Sequence, residues 1–422
     1  MKYSALVLIA IYSYSLCVSP VLGWSLDKDL DRLAVFHFDD QESSAAWGEE
    51  MLNLKASYDS GDSTAMDLMK QIFKAWNDAF PSNEGMVASM EQRFPVFRDN
   101  AWSVARVNVE HYKGNSDQVA PWWQSLNAFA DLSFDQFEAL YLLKTEDIAG
   151  KKDKDLDEFD PDDLAHPDPD IQRCVDWSKS DQLTPIKSQG RCASCWAFAA
   201  IAAVESNYLI ENNKTYSSTP VDLSEQQLVN CVTSSLLGTS WSPYQSTGCS
   251  TGSSRDAFDF IRRYGVYKEG SFPYVSGASG VPGSCTLDMR RQQEMRLKKP
   301  NPGWRFLTPN GDSSAIKSTL MTAVAVNYIR VESPFQLYNG GIYNTACSMQ
   351  GINHATMMYG YCDNRIDLQQ DQALDYYLLK NSWGTSWGEN GTMRIAIRPG
   401  DGICESQKYI ILHTSPYWRF NL

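Results

Sequence analysis

At 422 residues the chain is longer than one hydrophobic core usually serves, so two or more folded units are expected, and 43% apolar and 12% aromatic residues give those units enough to bury. The net charge of −14 is lopsided: residues 24–173 carry 31 Asp and Glu against 14 Lys and Arg, whereas residues 174–422 carry 20 against 22. No block is basic enough for nucleic-acid binding.

The chain opens with Lys2, a hydrophobic run over 5–16 and the small-residue site Val21-Leu22-Gly23, the pattern of a secretory signal peptide over 1–23. The run is too short to cross a bilayer and is interrupted by Ser13 and Ser15, and no other stretch could span one. A product of the secretory pathway, lysosomal or extracellular and without a membrane anchor, is expected. Residues 24–65 are acidic and serine-rich with no sustained period. Met66, Met69, Phe73, Trp76 and Phe80 predict a helix with one buried face. Phe94, Phe97, Trp102, Val104 and Val107 predict a longer one, and an amphipathic stretch follows Ser133. Residues 151–170 are charged and proline-containing, as an exposed, cleavable linker would be.

Beyond residue 174 the texture changes. A helix over 195–209 and another starting at Ser224, with Gln227 completing a capping box, precede strand-like runs over 322–329 and 376–380. Helices followed by antiparallel strands read as an α+β domain.

Of ten cysteines, Cys17 leaves with the signal peptide and the other nine lie between Cys174 and Cys404. An oxidising compartment favours pairing, and nine cannot all pair, so at least one thiol stays free. In Gln189-Gly190-Arg191-Cys192-Ala193-Ser194-Cys195-Trp196-Ala197-Phe198, Cys195 sits where a loop enters an apolar helix, whose unpaired amides and dipole would lower its pKa. A redox pair, half a zinc site or two half-cystines compete with a nucleophile here. Zinc lacks further ligands at suitable spacing, and a redox motif lacks a βαβ context.

A nucleophilic thiolate needs a proton carrier, and of five histidines only His354 and His413 follow Cys174. His354 enters an apolar run in Gly351-Ile352-Asn353-His354-Ala355-Thr356-Met357-Met358. In Lys380-Asn381-Ser382-Trp383-Gly384, the Asn381 amide could orient an imidazole without adding charge, and Trp383 could shield that bond from water.

Together these three segments resemble the papain family of cysteine proteases, whose Cys-Gly-(Ser/Ala)-Cys-(Trp/Tyr) signature is met except at Ala193. Val175-Asp176-Trp177, Ser224-Glu225-Gln226-Gln227-Leu228-Val229-Asn230-Cys231 and Phe335-Gln336-Leu337-Tyr338-Asn339-Gly340-Gly341-Ile342 extend the resemblance over 174–422. It implies a two-lobed fold, with a helical left lobe and an antiparallel, β-barrel-like right lobe. It also implies Cys195 as nucleophile, His354 as general base and acid, Asn381 as its orienter, and the Gln189 amide with the Cys195 backbone N–H as the oxyanion site. Trp383 would shield the site, and Gly252, Ser253, Ser254, Asn353 and Ala355 would line the substrate cleft. No metal or organic cofactor is implied. The family pattern further implies bridges Cys192–Cys249, Cys231–Cys285 and Cys347–Cys404. Parity alone then suggests a fourth, Cys174–Cys362.

Arg93, Phe97, Asn100, Val104 and Asn108, followed by Asn127-Ala128-Phe129-Ala130-Asp131, resemble the two motifs of cathepsin L-like propeptides. The resemblance implies a propeptide over 24–144 whose helical inhibitor domain covers about 66–144, a cleavable linker over 145–173 and a catalytic domain over 174–422. Expected partners are polypeptide substrates, the propeptide as intramolecular inhibitor and cystatin-type inhibitors, the enzyme itself being a monomer. With charge −17 facing a near-neutral enzyme, acid should loosen the propeptide. Four departures stand out: Ala193; Ser253-Ser254, which suggest a wider or more polar pocket; and an insertion over 290–309, expected as a surface loop, that sets His354 159 residues beyond Cys195. The fourth is a pair of glycosylation sequons at Asn213 and Asn390. Two rival readings are a non-catalytic binding or matrix protein that keeps the fold, and a first half that inhibits other proteases.

Overall fold

The computed structural model describes residues 24–81, 89–113, 122–144, 173–233, 244, 246–286, 295–297, 304–306, 312–363, 374–413 and 418–420. The signal peptide and the linker expected over 151–170 lie outside the described residues.

Residues 24–65, without a legible period, hold two helices, α1 (Leu26–Leu33) and α2 (Gln41–Asp59). The Asp40 carboxylate caps α2 by accepting from the Ser43 N–H at 2.7 Å. Trp47, Met51 and Leu54 are buried along α2, but much of the face it lays on the next long helix is made of small residues. A Cβ at Gly48 would stand 2.7 Å from the Ala105 carbonyl oxygen, so only glycine permits that approach. Helix α3 (Ser63–Ala79), capped by Asp62, and α4 (Met90–Lys113) follow, with the Phe73, Trp76 and Phe97 rings packed at 5.1–5.9 Å. Then come β1 (Trp122–Gln124) and α5 (Phe134–Tyr141), which opens on a complete Ser133/Gln136 capping box.

Three polar residues of α4 tie it to the segment that follows. Arg93 makes a buried ion pair with Asp131 at 2.5 Å, Asn100 donates to the Ala130 and Leu132 carbonyls, and Asn108 exchanges two hydrogen bonds with the Gln124 backbone. This unit has its own apolar core, to which the later part of the chain adds Leu337.

The second half begins with β2 (Cys174–Asp176) and the helices α6 (Cys195–Glu211), α7 (Glu225–Cys231), α8 (Ser254–Tyr264) and α9 (Ser276–Ser279). Ser224 caps α7, but the Gln227 side chain turns away to Gly265 and Tyr267, so the expected capping box stays half made. The described parts of the insertion are strands rather than loop: β3 (Met295–Leu297) and β4 (Trp304–Phe306). Strand β4 pairs antiparallel with the last long strand, Trp304 lying opposite His413. After α10 (Ser313–Leu320) come β5 (Ala325–Ile329), α11 (Ser333–Gln336), β6 (Tyr338–Tyr343), β7 (His354–Cys362), β8 (Tyr376–Lys380), β9 (Thr392–Ala396), β10 (Tyr409–His413) and β11 (Trp418–Phe420). Strand β5 begins later than expected because Thr322 closes the turn after α10 on the Thr319 carbonyl.

The fold is α+β. The main sheet runs β1-β6-β9-β8-β7-β5-β10-β4, with β2 also paired to β7; it is antiparallel except at β6–β9, and its order is open. Strand β1, from the first half, supplies one edge. Helix α6 is buried along most of its length between α8 and β7, which explains an apolar character on every side. Disulfides join Cys192–Cys249 and Cys231–Cys285 in the helical lobe, and Cys347–Cys404 and Cys174–Cys362 in the sheet lobe. Among the described residues Cys195 is the free thiol.

Candidate active site

Three elements converge between the lobes. Cys195 is the first residue of α6, His354 the first of β7, and Asn381 the residue after β8. Because β7 and β8 pair with Met357 opposite Lys380, His354 and Asn381 meet at one end of the sheet. His354 Nε2 lies 2.8 Å from Asn381 Oδ1, which also accepts from the Ser382 N–H at 2.8 Å. With Nε2 so engaged, Nδ1 is the ring nitrogen left without a hydrogen-bond partner. The backbone N–H of Ala355, next to His354, favours the Cys195 thiolate, since the start of β7 lies beside the thiol. Trp383 covers the imidazole, its ring 4.5 Å from that of His354, and Trp387 stands edge-on behind it at 5.0 Å.

Gln189 is fully buried. Its Oε1 accepts from Ser382 Oγ at 2.7 Å, and its Nε2 donates to the Cys192 carbonyl and to the Tyr141 carbonyl, both at 2.9 Å. Tyr141 belongs to α5, so a main-chain carbonyl from the first half already occupies the amide of Gln189. Two residues on, the Leu143 N–H donates to the Asn353 carbonyl at 2.7 Å. Phe137 of α5 packs on Trp383 at 5.0 Å. The segment around 137–143 therefore lies across the cleft and leaves Cys195 and His354 with no exposed surface.

That cover reverses the expected titration. Burial pushes the Cys195 thiol up to about 12, outweighing the N–H groups of Ala355, Trp196 and Cys195 itself, which favour the thiolate. Burial also pushes the His354 imidazole down to about 4, against the bond from Asn381 that favours its charge. Covered, both groups are neutral at physiological pH.

The other residues singled out in the sequence are distributed as follows. Gly252 lies over Trp196, where a Cβ would come within 2.3 Å of the indole. Ser253 caps α8 through the Arg255 N–H. Ser254 is buried and turned inward: its hydroxyl donates to the Trp196 carbonyl at 2.8 Å, and its N–H donates to the Tyr328 hydroxyl at 2.8 Å. Its polarity is thus consumed internally, contrary to the more polar pocket expected of it. The Asn353 side chain pairs with the Val331 backbone, leaving its carbonyl for the cleft. Ala193 borders a cavity of about 340 Å³ that Ser250, Leu140, Leu142 and Lys144 also line. Asn213 and Asn390 are exposed, both at positive φ.

One cluster had no sequence signal. Lys187 lies 2.8–3.2 Å from Asp222, Glu225 and Glu205, and Lys380 donates to the Thr184 carbonyl and hydroxyl. Burial opposes the Lys187 charge, but Glu205, Glu225 and Asp222 together hold its pKa above the ordinary lysine value. Burial lowers Lys380 to about 8. A cavity of about 20 Å³ between Lys187, Glu205, Ala355 and Asn381 joins this cluster to the back of the site. Among the described residues, no three of His, Cys, Asp and Glu gather as a metal site would need.

The family profile described as papain family cysteine protease matches residues 171–413, more than half of the chain. The chain belongs to that family. Papain-family relatives cover most of it: cysteine protease XCP2 of Arabidopsis thaliana is 30% identical over 83% of this chain and 88% of its own, and papain of Carica papaya is 30% identical over 82% and 87%. The cathepsin L-like proteinase of Fasciola hepatica is 30% identical over 74% and 84%. Among solved structures, the digestive procathepsin L 3 of Tenebrio molitor larval midgut superposes with a TM-score of 0.62 at 25% identity, covering 81% of this chain and 98% of that one. The proform of the ragweed pollen protease Amb a 11 gives a TM-score of 0.63 at 23% identity, over 83% and 95%. This papain-family protein is a cysteine endopeptidase, and its fold matches proenzymes over both halves.

Proposed function

We propose that the protein is a thiol endopeptidase of the secretory pathway, lysosomal or extracellular, made with a signal peptide (1–23), a self-inhibiting propeptide (24–144), a cleavable linker (145–173) and a catalytic domain (174–422). The observation that carries this reading is the Tyr141 carbonyl held by the Gln189 amide beside Cys195, with Leu143 bonded to Asn353: a peptide backbone lies in the cleft where a substrate would lie.

Once the propeptide is cut away, water returns and the burial that keeps Cys195 and His354 neutral is relieved. His354 then takes the thiol proton at Nδ1, the nitrogen that Asn381 leaves free. The thiolate attacks a peptide carbonyl, and the negative oxygen is held by the Gln189 amide and the Cys195 N–H. His354 returns its proton to the leaving amine, and water, deprotonated by His354, hydrolyses the thioester. Trp383 keeps bulk water from the His354–Asn381 bond. The same reading makes polypeptides the substrates, cystatin-type proteins outside inhibitors, the enzyme a monomer and Asn213 and Asn390 glycosylation sites.

The test is labelling of the acid-processed protein by a peptidyl epoxide. Labelling and peptidase activity that both vanish in Cys195→Ser are expected. A processed protein that takes no label would instead support the rival reading of a protease-fold binding protein.

A further inference from the structure

Tyr274 lies outside every segment that carries the chemistry, yet its hydroxyl stands between the two halves of the oxyanion site. It donates to the Gln189 carbonyl at 2.7 Å and lies 2.9 Å from Ser194 Oγ. With the phenol hydrogen committed to Gln189, Ser194 is the donor in the second bond. Gln189 carries the side-chain amide of the site, and Ser194 immediately precedes Cys195, whose N–H is the other donor. Ser194 occupies the N-cap of α6 but makes no capping bond; its hydroxyl points to the phenol, with the Cys192 carbonyl a longer alternative acceptor at 3.3 Å.

The rest of the loop holds this bridge still. The Tyr274 ring stands edge-on to Phe198 of α6 at 4.9 Å, and its N–H donates to Glu269 at 2.6 Å. The Arg191 N–H donates to the Gly277 carbonyl at 2.8 Å, and a Cβ at Gly190, whose φ is 55°, would meet that carbonyl oxygen at 2.5 Å. Burial raises the phenol pKa above its ordinary value, so the hydroxyl keeps its proton throughout the range in which such an enzyme works.

We propose that Tyr274 is a positioning residue for peptide hydrolysis: its hydroxyl fixes the Gln189 main chain relative to the start of α6 and so sets the aim of both oxyanion donors. The proposal rests on the reading of Gln189 and Cys195 as those donors. Misdirected donors lose transition-state stabilisation while ground-state binding is little changed.

The experiment compares mature wild-type enzyme, Tyr274→Phe, Ser194→Ala and Gln189→Ala, each matured from the full chain. Three quantities are read: kcat and KM on a peptide substrate, affinity for a peptide aldehyde, and the rate of alkylation by iodoacetamide. The aldehyde adds the Cys195 sulfur to its carbonyl carbon and places the resulting oxygen in the oxyanion site. Alkylation forms a carbon–sulfur bond and expels iodide, with no oxyanion. For Tyr274→Phe, kcat and aldehyde affinity should both fall roughly tenfold, about the worth of one neutral hydrogen bond, with KM and alkylation unchanged. Ser194→Ala should follow the same pattern more weakly. Unchanged kcat in Tyr274→Phe, or a loss shared equally by alkylation, overturns the proposal. If Gln189→Ala also leaves kcat and aldehyde affinity intact, the oxyanion reading itself fails; if Gln189→Ala falls and Tyr274→Phe does not, only the positioning role fails.

Discussion

The two halves of this molecule are held together by different chemistry. The first half, residues 24–144, contains no cysteine and relies on a small apolar core braced by Arg93–Asp131 and by asparagine side chains bonded to backbone. The catalytic domain carries four disulfides and two larger cores, against which the first half also lays apolar side chains such as Phe129, Phe137 and Tyr141. Between them run hydrogen bonds to backbone, such as Asn127 to the Gln336 carbonyl and Gln336 to the Phe129 and Leu132 carbonyls, and the edge pairing of β1 with β6. The half that must be removed is thus tied by bonds that can open, and the half that must survive is tied covalently.

Reduction should sharpen this contrast most. Each bridge is worth about 2–5 kcal/mol, so calorimetry of the Cys195→Ser precursor with reductant should show the catalytic transition collapse while the propeptide transition holds. Equal loss of both would break the comparison. Next in size is Arg93→Ala, which leaves Asp131 buried without its partner at a cost of about 3–5 kcal/mol. The precursor should melt earlier in its propeptide and leak activity, with kcat of the mature enzyme unaltered.

A pH effect of about 3 kcal/mol at most is expected in Cys195→Ser, where the thiol no longer titrates with the imidazole. His354 is pushed down to about 4 when covered, whereas its ordinary value is about 6.5, so the covered form binds fewer protons between those limits. Propeptide binding should weaken as pH falls through that window, which protease sensitivity of the propeptide would follow. This cause differs from the one expected from overall charge. The ion pairs of the first half are mostly with its own basic groups, as in Arg32–Asp29 and Lys113–Glu49, while Arg330–Glu138, which does cross to the enzyme, is separated by 3.7 Å. The smallest effect belongs to Asn339→Ala. Asn339 Oδ1 accepts from the Phe38 N–H at 2.9 Å, so its loss should speed propeptide release about fivefold, near 1 kcal/mol, without changing mature activity.

What could be read in the sequence follows from how local each signal is. Cys195, His354 and Asn381, which the fold brings together, could be singled out because each is of a residue type that thiol chemistry calls for, inside a short segment with few competitors. Helices α3 and α4 were legible from their aromatic stripes. Helix α2 was not, because Ser44, Ala45 and Gly48 serve close packing and leave no continuous apolar stripe. Strand β1 exists through its partner β6 rather than through any pattern in three residues. The Lys187, Glu205, Glu225 and Lys380 cluster is assembled from positions scattered along the domain, and the role of Tyr274 depends on a loop that returns to Gln189 from 85 residues away.

The Cys174–Cys362 bridge has a consequence for maturation. Strand β2 begins at Cys174, is bonded covalently to the end of β7 and crosses Gly360 so closely that no side chain fits beneath it. A cut anywhere before Cys174 would leave the new amino terminus riveted to the sheet two residues before Asp176. Ragged ends of different lengths would then yield the same enzyme, and maturation would tolerate an inaccurate cut.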